Sequence, residues 1–199
     1  MTTLKAEKRD MQTKAKKLRR EGFVTGNVFG REIQGSIPVQ ITKKDAEQLL
    51  RTKNKGSQIM LDVDGQQLDV LIKEIDFNAM KNQVEEIDFQ ALVSGEKVHS
   101  VAEVILLNHD KVTEGVIQQK LEEIPFKALP SALVEKVEID LAKLRVGDSV
   151  KVKDLEIASD KDVDLMIDPE ETVVIITESH NAPEAEEAPA EEEKDTKEK

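Results

Sequence analysis

The chain has 199 residues, of which 38% are hydrophobic, 35% charged and 3% aromatic, with a net charge of −12. It has no cysteine, which excludes disulfides and thiolate metal sites and fits a reducing compartment, so a cytoplasmic location is expected. No apolar run approaches the ~20 residues of a membrane span, and the opening Met1-Thr2-Thr3-Leu4-Lys5 lacks the apolar core of a signal peptide.

The charge is unevenly placed. Residues 1–55 hold 14 Lys/Arg and 6 Asp/Glu, a net of +8, whereas the other 144 residues hold 15 and 35, a net of −20. Charge acts on partners and solubility more than on fold. A basic first segment on an acidic body therefore predicts that the first unit meets a polyanion and the rest does not. With five Phe and no Trp or Tyr, the core must be built from Val, Ile and Leu, an inventory that suits small β-rich domains.

In chain order, residues 1–22 read as a mobile basic arm with one helical turn near 14–20 that orders on a partner. Leu4, Met11 and Leu18 recur every seven residues, too thin a stripe to drive packing. Phe23–Phe29 is a strand containing Gly26. Ile37, Val39 and Ile41 alternate, giving a half-buried strand at 36–41. Thr42, with Asp45 three residues on, caps a helix near 43–52 whose apolar face is Ala46, Leu49 and Leu50. Strands at 58–63 and 67–77 flank Asp64-Gly65, a hairpin signal. A further strand spans about 84–92. The first domain is thus expected over 1–93, with Ser94-Gly95-Glu96-Lys97 as the boundary.

Beyond it, apolar β-branched runs at 98–107 and 115–121, a short helix near 131–135, alternation at Val137, Ile139 and Leu141 and at Val150 and Val152, and the run Val173–Ile176 predict a second β-domain over 96–178. Residues 179–199 read as a disordered acidic tail. The expected class is mainly β with a few short helices: a small barrel-like domain, a second β-domain and the tail.

Enzymatic chemistry finds no foothold in this pattern. His99, His109 and His180 have no metal-ligand spacing, the nine glycines are scattered, and most of the carboxylates read as solvated surface. No metal, cofactor or small-molecule substrate is expected. The basic arm is either a solubilising tail or a phosphate binder whose affinity falls with salt as counterions are released. Only Phe23 and Phe29 follow it, too few for a base-stacking platform. Contacts with the backbone and grooves of a double-helical RNA fit better. A membrane-surface helix is disfavoured by the missing Trp and the weak apolar stripe.

The run Arg9 … Lys16-Lys17-Leu18-Arg19-Arg20-Glu21-Gly22 … Val28-Phe29-Gly30 resembles the opening of a bacterial large-subunit ribosomal protein family, the 5S rRNA-binding family that includes general stress protein Ctc. The resemblance continues through Ile87-Asp88-Phe89, Glu114-Gly115-Val116-Ile117, Val137–Leu141, Leu144–Val150 and Asp168-Pro169-Glu170-Glu171-Thr172, covering about residues 5–178. It implies a barrel-like domain that binds 5S rRNA in the central protuberance of the large subunit and a second β-domain projecting from it. On this resemblance the RNA-binding residues are Arg9, Lys16, Lys17, Arg19, Arg20, Phe29, Gly30 and Asp88. Phe29 stands where the family has Tyr, Thr25 where it has Pro, and Glu86 where it has His; Glu86 is acceptor-only and is expected to repel phosphate. Those departures keep a second reading open: a stress-linked, ribosome-associated factor acting mainly through protein contacts with neighbouring ribosomal proteins, its 5S rRNA binding weakened.

Overall fold

The computed structural model describes residues 2–112 and 115–178; the tail expected over 179–199 lies outside them. Six strands close a barrel: β1 (Thr3–Lys8), β2 (Phe23–Phe29), β3 (Ser36–Thr42), β4 (Gln58–Val63), β5 (Gln66–Asn78) and β6 (Gln83–Ala91). Helix α1 (Ala15–Arg20) precedes β2 and α2 (Lys43–Leu50) follows β3. Around the barrel the order is β1-β3-β2-β6-β5-β4, with β1 parallel to β4 completing the ring.

Alternation builds this barrel. Val24 and Val28, Val39 and Ile41, Ile59, Leu61 and Val63, and Ile87 and Phe89 all point inward and are fully or nearly fully buried. Thr42 caps α2 by accepting from the Asp45 N–H at 3.2 Å, and Ala46 and Leu49 close one end of the core. The β4–β5 turn places Asp64 and Gly65 both at positive φ (52° and 90°), the conformation of a type I′ hairpin. Gly26 is needed where β2 passes β6, because a Cβ there would lie 2.1 Å from the Ile87 carbonyl oxygen.

The mobile arm expected over residues 1–22 is corrected here. Thr3–Lys8 is a barrel strand, with Leu4 and Ala6 only 4% and 6% exposed. Its inward set is one Leu and one Ala, so its order comes from the ladders to β4 and β3 rather than from its own hydrophobicity. The seven-residue spacing also dissolves: Leu4 faces the barrel core, Leu18 is buried, and Met11 is exposed in a turn. The helical turn expected near 14–20 is α1.

The second unit contains β7 (Val98–Leu107), β8 (Val116–Gln119), β9 (Glu123–Ala128), β10 (Lys136–Asp140), β11 (Ser149–Lys151), β12 (Val163–Leu165) and β13 (Thr172–Thr177). One sheet runs β10-β7-β9-β12 and the other β11-β13-β8, packed over Phe126, Ile124, Leu141, Val152 and Val173–Val174. The helix expected near 131–135 is a single 3-10 turn at Pro130–Ala132, where Pro130 sits at the turn's start and its missing N–H costs nothing. Val152 likewise leaves the strand pattern and opens a 3-10 turn.

The two units meet through the segment after α2. Lys53 Nζ binds both oxygens of Glu135 at 2.7 and 2.8 Å, Asn54 Nδ2 donates to Glu103 at 2.6 Å, and Lys55 Nζ donates to Glu123 at 2.9 Å. Glu103 and Glu123 face each other across the β7–β9 ladder, a repulsive pair that the barrel's Asn54 and Lys55 relieve. Gly56 fits beneath them, since a Cβ there would lie 2.1 Å from the Val101 carbonyl oxygen. Part of the basic excess of the first 55 residues is therefore spent on the chain's own second unit.

Candidate nucleic-acid interface

Helix α1 is built from good helix formers, Ala15-Lys16-Lys17-Leu18-Arg19-Arg20. It ends before Gly22, whose φ of +89° stops the helical path. Leu18 is 5% exposed and fixes the helix by its apolar side. Arg19 fixes it by its polar side: Nε donates to the Glu85 carbonyl at 3.0 Å, and the guanidinium lies 3.2 Å from the Glu85 carboxylate and 3.4 Å from Glu86. Two anchors, one apolar and one ionic, hold α1 against β2 and β6.

The remaining cations face outward. Lys14, Lys16, Lys17 and Arg20 are all exposed. Lys16 and Arg20, four residues apart, share a helix face. Among the described residues Lys17 has only the exposed Glu21 at 3.8 Å, a pair that is worth little in water.

Next to α1, Asn27 on β2 forms the centre of a polar cluster. Its backbone N–H and Nδ2 donate to Asp88 Oδ1 at 3.1 and 3.3 Å, and Nδ2 also donates to Glu86 at 3.3 Å. Asp88 thus ties β6 to β2, and Glu86 bridges Arg19 and Asn27. The Thr25 hydroxyl donates to the Glu85 carbonyl at 3.3 Å. Glu85 receives further hydrogen bonds from Lys81 at 3.1 Å and Asn78 at 2.8 Å. These bonds, Lys81's first, hold its carboxyl below the ordinary carboxylate range, with the charges of Lys81 and Arg19 adding to them.

Arg9 lies one strand away. Its N–H donates to the Pro38 carbonyl at 2.9 Å, and Pro38 is the register partner of Asn27. Its guanidinium donates to the Thr13 carbonyl at 3.2 Å, while its Nε is buried with no partner among the described residues. Phe29 and Gly30 sit at the far end of β2, where a Cβ on Gly30 would lie 2.9 Å from that of Ala91.

Asp88 and, through Glu86, Arg19 are therefore gathered around Asn27, whereas Arg9 reaches it only through its backbone bond to Pro38 and turns its guanidinium to Thr13. Lys16, Lys17 and Arg20 crown the adjacent helix, and Phe29 and Gly30 lie at the far end of β2. Sequence reasoning missed Lys14, Asn27 and Glu85. The outward polar position of Asn27 between Gly26 and Val28 was the available signal for one of them. Beyond β6 the outer surface turns acidic: Glu74 pairs in register with Asp88, and Asp76 with Glu86. Among the described residues no three His, Asp or Glu side chains are grouped to hold a metal ion, and no helix is long and apolar enough to cross a membrane.

Residues 4–89 match the family described as Ribosomal L25p, and residues 97–180 match the C-terminal domain of ribosomal protein TL5. The large ribosomal subunit protein bL25 of Enterococcus faecalis is 31% identical over 175 residues, covering 87% of this chain and 85% of that protein. The chain belongs to the bL25 ribosomal protein family. The bL25 of Bacillus pumilus is 32% identical over 199 residues, 96% of this chain and 94% of its own, and that of Bacillus velezensis 31% over 180 residues, 88% of each. Both halves are thus family halves, in the long, two-part form of bL25. Membership makes the chain a structural ribosomal protein and not an enzyme.

Proposed function

We propose that this chain is a structural component of the large ribosomal subunit, that residues 1–93 form a domain binding 5S rRNA in the central protuberance, and that residues 96–178 form a second domain turned away from the RNA. The observation that carries this reading is the exposed set Lys14, at the N-cap, and Lys16, Lys17 and Arg20, on a helix whose other side is locked by Leu18 and Arg19. Cations on a rigid base lose little freedom on meeting phosphates, and each phosphate they neutralise releases counterions from the RNA.

The roles divide accordingly. Lys16, Lys17 and Arg20 touch phosphates. Arg19 and Asp88 are positioning residues, one holding α1 and the other holding β2 to β6. Arg9 supports the same face from the β1 side, and Phe29 and Gly30 extend it along β2.

The test is a salt titration of binding to purified 5S rRNA. Wild-type protein is expected to resist competitor tRNA, with log K falling linearly as log salt rises. Lys16→Gln/Lys17→Gln/Arg20→Gln should lower the slope by about one for each phosphate that is no longer neutralised. Unchanged affinity and slope in that variant would sink the assignment.

The carboxylates of Glu74, Asp76, Glu86 and Asp88 on one outer face favour a second reading, in which neighbouring ribosomal proteins supply most of the attachment. That reading predicts weak binding to naked 5S rRNA together with full recovery on large subunits.

A further inference from the structure

Strand β10 lies at the end of its sheet. It is bonded along one side to β7, with Lys136–Asp140 against Glu103–Leu107, and no described strand pairs with its other side. A groove of about 550 Å³ lies beside it, lined by residues of β10 and of the 3-10 turn at Glu156–Ser159. Leu107, 38% exposed, contributes an apolar patch to the lining. Among the described lining residues four carboxylates surround that patch, Glu138, Asp140, Glu156 and Asp160, against the single cation Lys136.

These carboxylates differ from others of the second unit. Glu103, Glu123 and Glu135 bind the barrel, and Glu170 binds Lys151 and Lys153. Among the described residues none of the four in the groove is paired with a cation. An open row of backbone donors and acceptors next to unneutralised negative charge has a specific complement. We infer that the groove receives an extended, Lys/Arg-bearing segment of a partner protein, which adds to the free edge of β10 as a further strand. Backbone hydrogen bonds hold such a segment, and alternate side chains select it. Its cations meet the four carboxylates while an apolar residue covers Leu107. The same carboxylates repel nucleic acid and the chain's own acidic C-terminal residues, which leaves a basic protein segment as the occupant.

The probe is a nine-residue peptide of alternating Lys and Val, titrated into the full chain and followed by backbone amide resonances. Shifts are expected at residues 136–140 and 156–160, with affinity falling as salt rises. Glu138→Gln/Glu156→Gln, at two exposed positions, should weaken binding at least tenfold. The same peptide N-methylated at alternate residues, tested on the unaltered protein, should not bind. Equal binding by the N-methylated peptide would overturn strand addition. Shifts confined to other residues, or a 5S rRNA footprint on 136–140, would overturn the site.

Discussion

Lys53 and Glu135, 82 positions apart, meet with the Lys53 ammonium bonded to both carboxylate oxygens at 2.7 and 2.8 Å. Both side chains are less than a third exposed, so the pair is better placed than an open surface bridge. A double-mutant cycle with Lys53→Met and Glu135→Gln should give a coupling of about 1 kcal/mol that shrinks as salt is raised. Urea unfolding at two ionic strengths measures it. A coupling of zero at low salt would mean that this pair adds nothing to what Asn54, Lys55 and the packing around Gly56 contribute.

The first strand supplies a second expectation. Leu4→Ala empties a 4% exposed position in the barrel core, and the loss should be about 3 kcal/mol, as for other buried leucines. A flexible arm would show no loss. Denaturant midpoints of the two proteins decide between them.

Two glycines separate crowding from backbone strain. In Gly26→Ala the new methyl must displace the Ile87 carbonyl, 2.1 Å away, at a cost of about 3 kcal/mol. In Gly35→Ala nothing among the described residues lies within 4 Å and only the positive φ of 84° is penalised, at about 1 kcal/mol. Thermal unfolding of both variants should preserve that order.

Arg19→Ala should act on stability first and on RNA second. It leaves Glu85 and Glu86 without the guanidinium they share and frees one end of α1. Hydrogen exchange should quicken across residues 15–20 even in the absence of RNA. If exchange is unchanged while RNA affinity falls, Arg19 contacts phosphate directly and is not the anchor of the helix.

Acid should loosen the second unit through Glu170. Hydrogen bonds from Lys151 and then Lys153 hold its carboxyl down from 4.5 to about 2. A carboxyl whose pKa is depressed in the folded state stabilises that state fully above its unfolded value. That contribution fades as pH falls from about 4.5 toward 2. Glu170→Gln should flatten stability against pH across this window, and acid titrations of the two proteins compare directly.

Most strands were readable because their inward residues are large and alternate. The β4–β5 hairpin and α2 were readable from Asp64-Gly65 and from Thr42 with Asp45. β1 was not, because Ala6 contributes too little hydrophobic signal and the strands that order it, β3 and β4, lie far along the chain. β9 was not, because Pro125 interrupts the run, and β12 is three residues long beside acidic neighbours. At the candidate site, the cations were visible as charge but their division of labour was not. Arg19 and Arg20 are adjacent and chemically alike, yet Arg19 is held by Glu85 and Glu86, some 66 residues on. Lys53 and Lys55 counted toward the basic excess of the first 55 residues for the same reason: their partners Glu135 and Glu123 are distant in sequence.

The parallel pairing of β2 with β6 has a consequence for synthesis. Thr25 to Phe29 find their neighbours at Glu86 to Gln90, so nothing before residue 90 can close the barrel. Contacts this far apart in sequence fold slowly. On a growing polypeptide the cationic helix emerges early, whereas its mooring to Glu85 and Glu86 exists only after the last barrel strand has been translated. The rigid arrangement proposed to meet RNA therefore belongs to the finished barrel and is denied to its fragments.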